Sequence, residues 1–584
     1  MADDEIYEDL IELSKRRGFL FPSTEIYGGV AGFWDYGPHG TRVKEQVLDA
    51  WRDRYVRREG FDEIDTPTIG KRDIFEASGH ADGFSDALVQ CGDCDAVFRA
   101  DHVVEDHTDV ENADGLPTDE LEGLIADHDL ACPGCGASLA GREVRTFNLM
   151  FETQIGPTGG RPAFLRPETA QGIFVDFPRL KRYAREQLPF GVTQIGTAYR
   201  NEINPRKGVV RLREFQQAEL EYFKHPDDEI DGVHDVEDVT VRLYPIEAQR
   251  RDDGEAFETT VGDAVEDGVI ASETIAYFVG VSQRWYEAIG VDPERLRFRQ
   301  HLGDERAHYA SDCWDGETYT ERFGWIEVNG VADRSTYDLD KHAEHSGEEM
   351  AVFQEYDEPV TRERATVDPD MGALGPRFGD DAPAVAAALQ ALAEDDPGAF
   401  EGDTVTVEVD GERHEVPVED TGFSVDEVTE SGEHVTPQVI EPSYGLDRIV
   451  FTVLAHSYDR DRPASSDEER TVLRLPPAVA PTDVAVFPLV TKDGLGEAAD
   501  EVAASLRATG LHVDHDDSGA IGRRYRRHDE IGTPFCVTVD YDTLEDGTVT
   551  VRERDTTEQR RVPLDDLAET VRGLIAGEVD FDAV

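Results

Sequence analysis

The sequence predicts an α+β chain that ends in a small, separate α/β domain, and three patterns carry that expectation. A long amphipathic helix runs from about Gly40 to Glu59, its apolar residues Val43, Val47, Trp51 and Tyr55 recurring at every fourth position. Strand-like runs joined by Gly/Pro loops fill residues 141–224. Residues 482–584 follow a linker marked by Pro476, Pro477 and Pro481. They alternate strands (Val484–Phe487, Phe535–Val539) with helices (Glu497–Leu506, Leu564–Ile575).

Taken in order, residues 1–90 begin with a helix-like segment, Asp4–Arg17, and a Gly/aromatic stretch, Gly28–Pro38, ahead of the amphipathic helix. The strand Phe61–Asp65 follows, and Thr66-Pro67 stops it. Residues 91–140 read as an insertion holding two cysteine pairs around an acidic stretch. Core strands return in 141–225, at Arg145–Phe151, at Gly191–Arg200 and from Val209 onward. Residues 226–320 are acidic and partly helical, and are expected to be a second insertion. A core segment, 321–349, precedes a third insertion, 350–435, which is acidic and weakly patterned. Residues 436–475 return to the core with the apolar run Ile440–Ser457, and no internal repeat is visible.

Charge narrows the classes. The 584 residues carry 126 acidic and 57 basic side chains, a formal charge of −69, and only 8 of the basic residues are lysine. Such a balance counts against a general nucleic-acid binder, since phosphates attract Lys and Arg. The acid is spread through apolar periodicity rather than gathered in a tail, so it reads as surface. Carboxylate-rich, Lys-poor surfaces suit a salt-rich solvent, where a Debye length of about 3 Å at 1 M screens self-repulsion. No run of eighteen or more apolar residues occurs, so no spanning helix is expected. Met1-Ala2-Asp3-Asp4-Glu5 lacks the basic, apolar start of a secretory signal, and a cytoplasmic protein is expected.

Two segments carry chemistry. Tyr199-Arg200-Asn201-Glu202 ends a strand, and the loop Pro205-Arg206-Lys207-Gly208 leads to a second strand through Val209-Val210-Arg211-Leu212-Arg213-Glu214-Phe215. A strand–basic loop–strand hairpin can grip a polyphosphate through bidentate Arg, although an Arg-x-Glu at a strand end is ordinarily a surface ion pair. The second segment, Glu441-Pro442-Ser443-Tyr444-Gly445-Leu446-Asp447-Arg448, runs from a strand through a Gly turn into an apolar helix. It puts an arginine in the first turn, where anions are favoured.

Together these segments resemble motifs 2 and 3 of class II aminoacyl-tRNA synthetases, and the long helix, strand and Pro67 resemble motif 1. The resemblance is closest to the dimeric glycyl-tRNA synthetases of archaea and eukaryotes. It rests also on Trp34-Asp35-Tyr36-Gly37-Pro38, Phe98-Arg99-Ala100-Asp101-His102, Leu165-Arg166-Pro167-Glu168-Thr169-Ala170-Gln171-Gly172, Glu214-Phe215-Gln216-Gln217-Ala218-Glu219, Gly324-Trp325-Ile326-Glu327 and Ala332-Asp333-Arg334-Ser335. Many class II enzymes have Gly where Ser443 stands; the glycine enzymes share the Ser.

The resemblance implies an antiparallel sheet flanked by helices, a C-terminal anticodon-binding domain, and a homodimer formed through motif 1. The implied reaction joins glycine to tRNA(Gly) through a glycyl-adenylate, with ATP as substrate and Mg²⁺ on the phosphates. Arg200 and Arg448 are the implied catalytic residues, on the α- and γ-phosphates. Glu202 would accept from the adenine amino group and Phe215 would stack on the ring. Asn201, Val210, Arg211, Leu212, Arg213, Glu214, Val328, Gly445, Leu446 and Asp447 complete the ATP site, and Glu327 is the implied Mg²⁺ ligand. Glycine offers only its ammonium as a positive handle, so carboxylates are its receptor. The implied set is Arg99, Glu168, Phe215, Gln216, Gln217, Ala218, Glu219, Glu441, Pro442, Ser443, Tyr444 and Gly445. A pocket without spare volume would reject alanine. Any one of these acids, in a chain with 126, is otherwise a solvated or paired carboxylate.

Cys91-x-x-Cys94 and Cys132-x-x-Cys135, with Gly92, Gly134 and Gly136 beside them, have the spacing of paired knuckles for a structural Zn²⁺. Cys313 and Cys536 stand alone and read as core or near-surface thiols. In the C-terminal domain, Ile521–His528 is the most basic run, so Arg523, Arg524 and Arg526 are expected to contact tRNA; a helix face paired to surrounding acids is the other reading. Two alternatives to the glycine enzyme stay open from the sequence: a prolyl, threonyl or histidyl synthetase, and a catalytically silent synthetase-like binding subunit.

Overall fold

The stripe Val43, Val47, Trp51 and Tyr55 is completely buried. It lies on helix α1 (Pro38–Arg52) and on the π-helical turn Asp53–Arg58 that continues it. Pro38 opens the helix at a position where a missing N–H costs nothing. The computed structural model describes residues 2–108, 110, 113–157, 160–203, 205, 208–251, 253–302, 311–409, 411–463 and 468–584. It divides into two units, Met1–Ala184 with Leu188–Met350 and Thr436–Val584, and Arg185–Gln187 with Ala351–Val435.

The first unit is built on a nine-stranded sheet. In chain order its strands are β1 (Asp62–Ile64), β2 (Phe190–Tyr199), β3 (Glu214–Lys224), β4 (Thr240–Tyr244), β5 (Phe257–Thr260), β6 (Leu296–Gln300), β7 (Asp312–Thr320), β8 (Gly324–Ser335) and β9 (Gln438–Gly445). Their spatial order is β5-β4-β6-β7-β8-β9-β3-β2-β1. All neighbours are antiparallel except β1/β2 and β4/β6.

Four more helices flank the sheet: α2 (Ala170–Tyr183), α3 (Glu273–Ala288), α4 (Tyr337–Ser346) and α5 (Leu446–Ser457). Period-2 alternation sends Ala218, Leu220 and Tyr222 of β3, with Tyr444 of β9, into the main core. There Tyr444 meets the rings of Trp51, Tyr55 and Trp285, so α1 and α3 cover that face. The opposite face carries Gln217, Glu219 and Glu221, and it holds the site.

Several boundaries differ from the sequence expectation. Residues 226–320, expected to be an insertion, supply β4, β5, β6, β7 and the buried helix α3, and so belong to the central sheet and its core. Acidic surface positions hid an apolar interior that alternates beneath them. Arg145–Phe151 is two strands, Val144–Asn148 and Phe151–Ile155, in different sheets. Asn148 Oδ1 accepts the Met150 N–H at 2.7 Å and turns the chain between them. The strand expected from Val209 begins at Glu214; before it, Gly208–Val210 form a 3₁₀ turn that buries both valines. Arg206 and Lys207 of the basic loop lie outside the described residues.

The Ala351–Val435 segment is patterned more firmly than its acidity indicated. A long hairpin, Val352–Thr366 with Ser424–Val435, carries two helices and a second hairpin, Thr404–Val409 with Glu412–Pro417, around a core that includes Leu374, Leu389, Phe400 and Val416. Residues Val89–Val144 have their own small core around the cysteine pairs.

The C-terminal domain is a five-stranded sheet. Its strands are β10 (Val484–Pro488), β11 (Val513–His515), β12 (Phe535–Val539), β13 (Thr548–Glu553) and β14 (Gln559–Pro563), ordered β11-β10-β12-β13-β14. Helices α6 (Leu495–Ala508), α7 (Ile521–Ile531) and α8 (Leu567–Ile575) accompany it. It is clamped to the core: Arg470 pairs with Asp461 at 2.7 Å and with Asp529 of α7 at 3.0 Å, and Arg554 donates to the Leu475 and Gly532 carbonyls.

Candidate active site

A cavity of about 280 Å³ opens over β7, β8, β9 and β3. Strand register arranges its floor in rows. Asp315 lies opposite Gly330, Gly330 opposite Ser443, and Ser443 opposite Glu219; in the next row Cys313 faces Ala332 and Ala332 faces Glu441. Gly330 keeps the middle of the floor open, since a Cβ there would stand 3.3 Å from Asp315 Oδ1.

One end of the cavity is cationic. Arg200 follows β2, donates from Nε to the Pro167 carbonyl at 3.2 Å, and lies 5.3 Å from the ring centres of both Phe84 and Phe215. Two aromatic faces thus fix its plane, and among the described residues no carboxylate pairs with it. Arg448, in the first turn of α5, donates to the carbonyls of Val210 and Glu327 and reaches the Glu327 carboxylate at 3.3 Å. The Glu327 side chain is exposed, and Arg448 and then Arg200 hold its carboxyl below the ordinary carboxylate range. Glu202 is paired by Arg211 at 2.6 Å, and Arg213 donates to the Glu202 carbonyl. Asp447 accepts from the Tyr36 hydroxyl at 2.5 Å and from the Gln216 N–H at 2.6 Å, tying α5 to β3.

The other end is anionic. Glu219 accepts from the N–H groups of Thr169 and Ala170 at the start of α2, where the helix favours an anion, and from Gln217 and Ser443. At the centre stands Arg334, 1% exposed, which donates to both oxygens of Glu441 (2.8 and 2.9 Å) and both of Asp338 (2.8 and 3.1 Å). Glu168 lies 3.6 Å from Arg334 and 3.5 Å from His80. Burial opposes its charge, yet His80 and Arg334 hold its carboxyl far below the usual range. Beyond Gly330, Asp315 bonds His301 at 2.5 Å; burial lifts it to about 6 although His301 pulls the other way.

The cavity wall brings together Glu168, Arg200, Glu202, Val210, Arg211, Leu212, Phe215, Gln216, Gln217, Glu219, Glu327, Val328, Glu441, Ser443, Gly445, Asp447 and Arg448 from the sequence-derived set. Others fall away, those on β9 and β3 because alternation turns them to the core. Ala218, Pro442, Tyr444 and the helix residue Leu446 are buried on the core side, and Tyr444 bonds Ser282 there at 2.7 Å. Arg99 is held by Asp86 at 3.2 Å and by Asp101, outside the wall. Asn201, Arg213 and Glu214 do not line it either. Sequence reasoning missed Asp338, Glu221, Asp315, His301 and the pairing role of Arg334. The last is within reach of the sequence, because Ala332-Asp333-Arg334-Ser335 is one of the runs that carry the resemblance.

In the cysteine lobe, Cys91, Cys94, Cys132 and Cys135 bring their four sulfurs within 4.8 Å of one another, with Cys91–Cys135 at 3.6 Å and Cys94–Cys132 at 3.7 Å. The Asp93 and Gly134 N–H groups point at the Cys91 and Cys132 sulfurs, as suits thiolates. This donor set fits tetrahedral Zn²⁺. Cys313 is buried at the cavity wall and Cys536 in the C-terminal core.

On α7, Arg524 corrects the expectation of an RNA contact. It is 3% exposed and its guanidinium donates to the carbonyls of Pro488, Asp517 and Gly519. Arg526 pairs with Glu468, and Arg523 is exposed.

Two family models match the chain: the tRNA synthetase class II core domain (G, H, P, S and T) over residues 157–251, and the anticodon binding domain over 483–574. Giardia lamblia prolyl-tRNA synthetase in complex with prolyl-adenylate shares the fold, with a TM-score of 0.53 at 13% identity over 97% of this chain and 75% of that one. Fold and site together define a class II aminoacyl-tRNA synthetase. The Glycine–tRNA ligase of Methanothrix thermoacetophila is 52% identical over 578 residues, 98% of each chain. That of Methanocaldococcus jannaschii is 48% identical over 98% of this chain and 99% of its own. The chain belongs to the glycine–tRNA ligase family.

Proposed function

We propose that this ligase activates glycine with ATP in the cavity described above and transfers it from glycyl-adenylate to tRNA(Gly). The carrying observation is the polarity of one cavity, guanidiniums at one end and carboxylates at the other. Glycine presents the complementary pair, an ammonium and a carboxylate that must meet the α-phosphorus.

In this reading Arg200 spans the glycine carboxylate and the α-phosphate and meets the charge of the pentavalent state. Phe215 carries the adenine ring, Glu202 reads its amino group, and Arg448 holds the γ-phosphate. Glu219, Glu441, Glu168 and Ser443 receive the ammonium. Mg²⁺ would be held by Glu327, an oxygen ligand of the kind hard cations take, and supplies charge neutralisation on the phosphates. Arg523 and Arg526 are the α7 side chains left for tRNA. The working form is a cytoplasmic homodimer joined through the α1–β1 region, with the acidic surface serving salt tolerance.

Amino-acid-dependent ATP–pyrophosphate exchange with all twenty amino acids tests the reading. Exchange with glycine alone is expected; exchange with proline, threonine or histidine, or none at any salt, would overturn it.

Zn²⁺ would be held by Cys91, Cys94, Cys132 and Cys135, and supplies a cross-link between the ends of the lobe. One zinc per chain is expected by metal analysis. Its removal by a chelator should loosen hydrogen-exchange protection in residues 85–148 first. A metal-free protein of equal protection would refute the site.

A further inference from the structure

Glu221 lies two residues beyond Glu219 on the same face of β3. Register pairs Glu219 with Ser443 and Tyr222 with Ile440, which sets Glu221 directly opposite Glu441. Cβ atoms of directly opposed residues in an antiparallel pair are about 5 Å apart, and like charges there repel. Glu221 is completely buried, and among the described residues neither of its carboxyl oxygens has a hydrogen-bond partner.

Charged groups face Glu221 from several of the elements packed around it. Its own strand gives Glu219, β9 gives Glu441, β8 gives Arg334, and α4 gives Asp338, while His342 on the same helix bonds Gln171. Glu168 stands just before α2, whose buried side includes Gln171, Phe174, Phe177 and Lys181. On β2 its neighbour is Val192. Arg334 donates to Glu441 and Asp338, and Glu221 takes none of these bonds. Three acids, Glu441, Asp338 and Glu168, already surround that guanidinium. A fourth carboxylate, buried and unbonded, is strongly disfavoured as the anion. Burial first, and then the charge on Glu441, push the Glu221 carboxyl well above the ordinary range. Burial lifts Glu441 as well, to about 8, but the two bonds from Arg334 keep Glu441 as the anion of the pair. Glu221 therefore holds the proton, and a neutral acid beside a carboxylate has one useful thing to offer, a donor.

We propose that Glu221 is a positioning residue of the glycine site, a neutral carboxylic acid that donates its O–H to Glu441 and holds that carboxylate toward the substrate ammonium. Arg334 fixes Glu441 from one side and Glu221 from the other. This rests on the reading of the anionic end as the glycine site.

Glycine-dependent pyrophosphate exchange by the full chain at neutral pH tests it, with E221Q, E221M and E221L and with thermal midpoints recorded for each. The amide can donate as the acid does, so E221Q should keep the glycine KM within about threefold of the parent. The apolar variants should raise it about tenfold, the worth of one hydrogen bond to a charged group, with the ATP KM unmoved. Their thermal midpoints should lie close to the parent's, since the lost hydrogen bond is offset by removal of a buried polar group. Parent-like glycine KM in both apolar variants, or an E221Q as impaired as they are, would overturn the proposal. E441Q separates the two readings. If it leaves the glycine KM unchanged, the glycine-site assignment itself falls. If it raises that KM while E221M and E221L stay at the parent value, only the role of Glu221 falls.

Discussion

Arg334→Met should both unsettle the catalytic unit and remove glycine activation. The side chain is 1% exposed and donates four bonds, two to Glu441 and two to Asp338, with Glu168 3.6 Å away. Deleting the cation leaves three buried carboxyls with only His80 and the Gln171 amide beside them. Breaking a buried ion pair from one side typically costs about 3–5 kcal/mol, because the surviving charge has lost its partner. The surviving acids would take up protons instead, and a protonated Glu441 cannot hold an ammonium. Exchange with glycine should therefore fall by at least about a hundredfold in kcat/KM, equivalent to two charge-assisted bonds at the low end of their range. Arg334→Lys should recover little, since a point charge cannot satisfy two carboxylates bidentately from one planar fork. Urea unfolding followed by fluorescence, alongside the exchange assay, checks both halves. An Arg334→Met chain of parental stability and activity would show that the carboxylate cluster does not depend on its central cation.

The role of Arg334 also marks how far the sequence could be read. The segments that fix the class were legible because they are contiguous runs of unusual composition: Tyr199-Arg200-Asn201-Glu202, Glu214–Glu219 and Glu441–Arg448. Contiguity is also why the reading overreached. A strand shows alternate residues to opposite faces, so a run assigned whole to a site contributes about half of its side chains. Glu219, Glu441 and Ser443 face the cavity while Ala218, Pro442 and Tyr444 face the core. The same alternation, seen from the other side, concealed Glu221: in Glu219-Leu220-Glu221 two acids share a face, but nothing in the string tells whether that face is wet. Asp338, four residues after Arg334, is a further case. On a surface helix start it would be an ordinary acidic residue, and its meaning comes from burial.

Composition misled where it described only surfaces. Residues 226–320 are acidic on average, yet Val241, Leu243, Phe298 and Trp314 are buried and put β4, β6 and β7 into the central sheet. The basic run on α7 misled in the opposite sense. Arg524 is drawn inside by three carbonyl acceptors, an arrangement that no charge count distinguishes from a solvent-facing arginine.

Arg200→Ala should give the complementary phenotype, with activity lost and the fold kept. Arg200 is half-buried, makes one backbone bond from its side chain at 3.2 Å and otherwise rests between Phe84 and Phe215. Little stability hangs on it, and the parental urea midpoint should persist. Its remaining N–H groups face the cavity, already oriented, so no reorganisation is needed when negative charge builds on the α-phosphate. Removing one preorganised donor of this kind costs about 10²–10³ in kcat. A bidentate guanidinium that also neutralises the carboxylate nucleophile belongs at the upper end of that range. Arg200→Lys keeps the charge but loses the plane that the two rings grip, and it should remain about a hundredfold down. If the effect lay in ground-state binding, the KM for ATP or glycine would rise while kcat held; a loss in kcat at saturating substrates is the expected signature. Arg200→Ala with parental kcat in pyrophosphate exchange would remove Arg200 from the chemical step and leave the cationic end of the cavity to Arg448 and Arg211.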